Sequence, residues 1–192
     1  MKAIIIKTER LILRPLGPQD LDTVSAYSTD RENTRLMLYL PHKNRQETLD
    51  FLRKVEAEWA KERPAFYEFA ILFEGRQIGS VSVDSEGETA GELGWIIHRD
   101  YWGRGIASEA TAAVVDFAVC QLHRTYFFAR CDSENTGSCR VMEKLGMKRN
   151  SVRFGRKNRG EDEARMEYRY EMRICGELQP PLKNKEPIPD FH

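Results

Sequence analysis

The sequence has no surplus of charge of either sign: its 192 residues carry 30 Lys and Arg against 30 Asp and Glu. A domain that grips nucleic acid by its phosphates needs a basic excess, so direct nucleic-acid binding is not expected and a small-molecule or peptide partner is favoured. Nor does any apolar run approach the roughly 18 to 20 residues of a membrane-spanning helix. The apolar start Met1–Ile6 is shorter than a secretory core and lacks a cleavage pattern, so neither membrane nor export is expected and the cytoplasm is the expected location. Cysteine is sparse: Cys120, Cys131, Cys139 and Cys175 form no Cys-x-x-Cys pair and no ligand spacing with the 4 histidines. Reduced thiols and no metal site follow. The phosphate fingerprints Gly-x-Gly-x-x-Gly and Gly-x-x-x-x-Gly-Lys-Ser/Thr are missing too, which counts against dinucleotides and ATP.

What is present reads as one α/β domain over residues 1–174 with a tail. Arg10–Arg14 alternates as a strand, and Leu21, Val24 and Tyr27 then recur at helical spacing. After a polar connection at Arg31–Asn44, Leu49, Leu52, Val55 and Trp59 place a helix over Arg45–Lys61, ended near Pro64. Tyr67–Phe73, Gln77–Val83 and Glu92–Ile97 predict an antiparallel meander. The period then switches to a helix through Ile106, Ala110, Val114 and Phe117, followed by a strand at Tyr126–Arg130. Ser138–Leu145 predicts a helix closed by Gly146, and Met147–Phe154 and Arg165–Met172 predict the last strands. Residues 175–192, with four prolines among Lys and Glu, predict an extended tail.

The segment from Glu92 to Ala110 joins a strand to a helix through Trp102-Gly103-Arg104-Gly105-Ile106-Ala107. A helix start offers unpaired N–H groups and a partial positive charge, and the small residues Gly103, Gly105 and Ala107 let a diphosphate approach the backbone. The same two glycines also suit a plain tight turn.

Trp-Gly-Arg-Gly-Ile-Ala-Ser-Glu-Ala after Gly-Trp-Ile-Ile resembles the central motif of the GCN5-related N-acetyltransferase (GNAT) superfamily, Gln/Arg-x-x-Gly-x-Gly/Ala. Trp102 in the Gln/Arg position, the opening Thr8–Arg14 and the later Glu134–Ser138 are similar to the RimJ/RimL-like branch that acetylates ribosomal-protein N-termini. The resemblance covers about residues 8 to 172 and implies a mixed, mostly antiparallel sheet of about six to seven strands, splayed between the fourth and fifth and flanked by about four helices. It implies acetyl-CoA as cosubstrate. Backbone groups of Trp95, Ile96 and Ile97 would pair with the pantetheine arm like an added strand, and N–H groups of Trp102, Gly103, Arg104, Gly105, Ile106 and Ala107 would hold the diphosphate. Asn135 matches the asparagine that bonds the arm; its alternative role is a helix cap.

Acetyl transfer needs an uncharged amine, a donor to the oxyanion and a means of stabilising the thiolate. The resemblance implies Glu92 as base, the Ile97 N–H as oxyanion donor and Ser138 as acid, because Met142 stands where many members carry a tyrosine. Glu92 also suits a solvent-facing carboxylate, and Ser138 a first-turn hydroxyl. Cys131 reads as a buried structural thiol rather than a nucleophile, since the sequence places no histidine to activate it. Trp59, Phe66, Tyr67 and Phe69 are expected mostly in the core, and the basic run Arg153–Arg159 in a solvated loop. The leading expectation is therefore direct acetyl transfer to a primary amine, first a peptide or protein N-terminus. A polyamine, aminoglycoside or other small amine, or a non-catalytic acyl-CoA-binding module, is the alternative, and a homodimer is left open.

Overall fold

Eight strands form one sheet in the order β1-β2-β3-β4-β5-β6-β8-β7 in a computed structural model that describes residues 4–174. They are β1 Ile6–Lys7, β2 Leu11–Pro15, β3 Phe66–Phe73, β4 Arg76–Glu86, β5 Ala90–Ile97, β6 Tyr126–Asp132, β7 Lys148–Arg156 and β8 Arg165–Arg173. The helices are α1 Leu21–Ser28, α2 Arg31–Thr34, α3 Arg45–Trp59, α4 Ile106–Leu122 and α5 Thr136–Lys144. The expected tail from Cys175 to His192 lies outside the described residues.

Strand and helix counts exceed the expected ones by two short elements. β1 is too short to show a period, and α2 is a single turn whose start is capped by Asp30 accepting from the N–H groups of Glu32 and Asn33. Every pairing is antiparallel except β5 with β6. That parallel pair holds only at Ala90–Tyr126, Gly91–Phe127 and Glu92–Phe128, although β5 runs on to Ile97 and β6 to Asp132. The sheet is therefore splayed where the family resemblance implied, and the extra β1 makes these strands the fifth and sixth.

The two faces of the sheet are covered unequally, and this positions the site. Val81, Val83, Leu93 and Ile97 pack with Leu11, Leu13, Phe69 and Ile71 against Ile106, Ala110, Val114 and Phe117 of α4. Each of these Val, Leu, Ile and Phe side chains contributes about 1.5–3 kcal/mol on burial. On the other face a smaller cluster, Leu16, Val24, Tyr27, Leu52, Val55 and Ala70, ties α1 and α3 to β3. Ser80, Ser82 and Asp84 alternate with the apolar residues of β4 and so share this second face, where apolar packing stops short. The expected aromatics do pack: Trp59 makes edge-to-face contacts with Tyr67 and Phe69, and Phe117 does the same with both. The basic run is no solvated loop. Arg156 is 6% exposed and bonds Glu167 and the Leu36 carbonyl, while Arg159 bonds the carbonyls of Met37 and Tyr39, so the run fastens the segment after α2.

Candidate active site

Beyond Ile97 the chain turns through a 3-10 segment, Arg99–Tyr101, and enters α4 over Gly103 and Gly105, at φ +75° and +76°. Only glycine adopts this region without strain, and Gly105 is the residue that caps α4. As a result the N–H groups of Gly103 through Ser108 find no acceptor among the described residues. They border a cavity of about 460 Å³ whose walls also include Trp95–Ile97 and Asn135–Ser138. Unpaired N–H groups at the positive end of a 17-residue helix are suited to receive an anion. Arg104, Arg140 and Lys144 line the same cavity and add positive charge.

Glu109, in the first turn of α4, fastens this loop to the start of the chain. It accepts from the Thr8 hydroxyl, the Arg10 backbone N–H and Arg10 Nε at 2.8 Å, and the same guanidinium donates to the Arg104 carbonyl at 3.2 Å. Burial pushes the Glu109 pKa up, but these donors together outweigh it and hold the carboxyl below its ordinary value. The opening Thr8–Arg10 motif thus buttresses the cradle, a role its sequence does not announce.

Backbone groups alternate sides along a strand. The His98 N–H donates to the Ile78 carbonyl at 2.8 Å, so the polar groups of Ile96 also face β4, while those of Trp95 and Ile97 face the splay. Of the expected trio, Ile96 therefore has its backbone engaged within the sheet. Its side chain borders the cavity instead. The Ile97 carbonyl accepts from Trp102 Nε1 at 2.8 Å, which locks the turn to the strand and leaves the Ile97 N–H as the free group there. Across the splay, Asn135 Oδ1 caps α5 by accepting from the Ser138 N–H at 3.0 Å. Its Nδ2 and the Ser138 hydroxyl have no partner among the described residues and border the cavity. Met142 is fully buried in the main core and faces no cleft.

A second cavity of about 700 Å³ opens on the α1/α3 face and shares Trp95, Ile96, Asn135 and Ser138 with the first. Two clefts thus meet at one point in the splay. Glu92 lines the second cleft, where Arg130 grips both its oxygens at 2.8 Å. Glu167 is similarly held by Arg156 at 2.9 Å. Glu68 and Asp84, which the sequence did not single out, line the same cleft without an ion pair among the described residues. Burial pushes Glu68 up to about 7, and burial with the charges of Glu92 and Glu86 pushes Asp84 up to about 6. The sequence signal for both is slight: Glu68 shares strand parity with Ala70, and Ser80, Ser82 and Asp84 repeat it on the next strand, but the flanking Phe69 and Ile71 are just as buried, so parity alone does not say which face lines a cleft. Cys131 borders the cleft, 3.7 Å sulfur to sulfur from Cys139, and burial with that neighbour pushes its thiol up, away from nucleophilic thiolate.

Comparison with known proteins agrees with this geometry. Residues 10–148 match the model of the acetyltransferase (GNAT) domain. The uncharacterized N-acetyltransferase YnaD of Bacillus subtilis (strain 168) is 29% identical over 147 residues, 75% of this chain and 82% of the relative. A GNAT-family acetyltransferase from Bacillus anthracis superposes with a TM-score of 0.75 at 27% identity, over 88% of this chain and 98% of that one. RimL, a ribosomal L7/L12 α-N-protein acetyltransferase solved with coenzyme A, shares the fold at a TM-score of 0.79 and 15% identity, over 89% and 98% of the two chains. The chain belongs to the GNAT family of acetyltransferases, and it is an N-acetyltransferase that draws its acetyl group from acetyl-CoA.

Proposed function

We propose that the chain transfers acetyl directly from acetyl-CoA to a primary amine, and that the preferred acceptor is a peptide or protein N-terminus, as in the RimJ/RimL-like branch. The observation that carries the transfer is the meeting of an anion-holding cleft with a second, carboxylate-lined cleft at Trp95, Ile96, Asn135 and Ser138. In this reading the N–H groups of Trp102 through Ala107 hold the diphosphate, chiefly those from Gly103 onward, because the Trp102 N–H already donates to the Arg99 carbonyl. The backbone of Trp95 and Ile97 receives the pantetheine amides, and Asn135 Nδ2 bonds the arm. The Ile97 N–H donates to the thioester oxygen as charge develops there, and the Ser138 hydroxyl protonates the departing thiolate. A raised Cys131 thiol supports transfer without an acetyl-cysteine intermediate. The fold shared with RimL and the acceptor cleft's volume of about 700 Å³ favour a peptide end. Glu68 and Asp84, which have no ion pair among the described residues, favour a second reading, a small cationic amine such as a polyamine or aminoglycoside. The reaction is expected to run in the cytoplasm.

Thiol release from acetyl-CoA, followed with N-terminal peptides, polyamines and aminoglycosides side by side, tests this reading. Turnover highest with peptides bearing a free N-terminus supports it, and loss of turnover when that terminus is blocked places acetyl on the α-amine. Preference for polyamines would transfer the assignment to the second reading. Absence of turnover with every amine would overturn both.

A further inference from the structure

We propose that Glu68, rather than Glu92, is the carboxylate that takes the proton from the acceptor ammonium, with Asp84 as the second negative group that holds it. This rests on the amine-acetylating function proposed above. Register places the group: Glu68 lies opposite Ser82 of β4, and Ser82 lies opposite Gly94 of β5. Directly opposed residues share a face, so all three belong to the floor of the acceptor cleft, next to the Trp95–Ile96 junction where the two clefts meet. Gly94 keeps that floor open, since a Cβ there would stand 2.8 Å from Ser82 Oγ.

Partnership separates the candidates. Both oxygens of Glu92 are occupied by the Arg130 fork, so a proton placed on Glu92 would break a bidentate ion pair. Its other neighbour across the sheet is Asp84, one row beyond Glu68 and directly opposite Glu92. Glu68 has no ion pair among the described residues. The charged and titratable groups that line the cleft with it are Tyr27 of α1, Tyr39 and His42 of the segment before α3, Lys54 of α3, Asp84 and Glu86 of β4, Glu92 of β5, Arg130 and Cys131 of β6, Arg156 of β7 and Glu167 of β8. Of the cations, Arg130 is committed to Glu92 and Arg156 to Glu167, and Lys54 stacks over the Phe66 ring at 5.6 Å. Burial raises Glu68 to about 7, against the opposing pull of the Ser80 and Ser82 hydroxyls, so the group changes protonation where an amine acetyltransferase works.

The proton balance closes. An acceptor arriving as R–NH3⁺ transfers one proton to the Glu68 carboxylate, giving R–NH2 and a neutral Glu68. The nitrogen lone pair attacks the thioester carbon, the C–S bond breaks, and the second nitrogen proton passes to the coenzyme A thiolate by way of Ser138. Glu68 then releases its proton to solvent, leaving one amide, one thiol and one proton per turnover.

The test is the pH dependence of kcat/KM for the wild type, Glu68→Gln and Glu92→Gln, with coenzyme A binding by calorimetry as a control for folding. The wild type is expected to lose activity on the acid side of neutrality. Glu68→Gln should lower kcat by at least about 100-fold and abolish that limb while coenzyme A binding is kept, and Glu92→Gln should retain the limb. A limb that survives in Glu68→Gln, or disappears in Glu92→Gln, overturns the proposal. Carboxyl ¹³C resonances of glutamate-labelled protein bound to coenzyme A give an independent reading. One resonance should titrate near neutrality and vanish in Glu68→Gln, whereas titration of Glu68 in the ordinary carboxylate range would refute it. Failure of the wild type to acetylate any amine would instead strike the proposed function, and the resonance titration would still decide the proton site.

Discussion

Replacing Glu109 with alanine is the sharpest way to ask whether the start of the chain holds the cofactor cradle. Four donors are lost together: the Thr8 hydroxyl, the Arg10 N–H, and Nε and Nη2 of the Arg10 side chain. Charge-assisted bonds contribute about 1.5–3 kcal/mol when buried. Here the side chains of Arg10 and Glu109 are 41% and 20% exposed, so water screens the pair and we expect the set to be worth about 2 kcal/mol in total. For a domain of this size that is a fall in Tm of about 4–8 °C. Arg10, no longer oriented, also releases the Arg104 carbonyl, so the affinity for coenzyme A should fall about tenfold, equivalent to about 1.4 kcal/mol. Because the folded pKa of Glu109 is lowered, its contribution is present above the unfolded carboxylate value and is lost as pH falls through the folded one. The Tm gap between wild type and Glu109→Ala should therefore be widest near neutrality and close in acid. Glu109→Gln keeps one acceptor oxygen and should recover part of both losses. Thermal unfolding from pH 7 downward and calorimetry with coenzyme A measure these quantities. An unchanged Tm together with unchanged affinity would refute the buttress.

Two further changes probe the sheet. A Cβ on Gly79 would stand 2.3 Å from the Ile96 carbonyl and 3.0 Å from Ile97 Cα, both backbone atoms, so Gly79→Ala must push β4 and β5 apart. It is expected to cost about 1–3 kcal/mol and to weaken coenzyme A binding, read by thermal unfolding and calorimetry; wild-type values in both would show slack between the strands. Asp132 is fully buried and accepts from the Glu134 N–H, Asn158 and Arg165. Burial pushes its pKa up, but those partners prevail and hold it below the ordinary value. Its stabilisation is thus present above the unfolded carboxylate value and lost as pH falls through the folded one. Asp132→Asn should lower stability near pH 7 by about 2–3 kcal/mol and flatten the acid end of the stability profile, and denaturant unfolding across pH checks both.

The cradle was legible because its chemistry lies in consecutive residues: two glycines at positive φ between a strand and a helix leave a mark in the sequence itself. The splay was legible only through the family resemblance, since nothing in β5 or β6 taken singly says where their pairing stops. Glu68 is hidden in the sequence because a carboxylate between Tyr67 and Phe69 reads as the outward member of an alternating strand. Its inward direction follows from register with Ser82 and Gly94, which links residues far apart in sequence. The Glu109 buttress was hidden for the same reason, its partner Thr8 being 101 positions away. Arg156 and Arg159 misled in the opposite sense, because a run of basic residues carries no sign of the carbonyls at Leu36, Met37 and Tyr39 that it meets.

The backbone N–H groups ahead of α4, without an acceptor among the described residues, are the proposed seat of the coenzyme A diphosphate. Titration of ¹⁵N-labelled protein with coenzyme A, following each amide resonance, tests them directly. The amides of Gly103 through Ser108 are predicted to show the largest shifts and to gain protection from exchange. Resonances that stay in place across that segment while the protein takes up coenzyme A elsewhere, or no uptake at all, would contradict it.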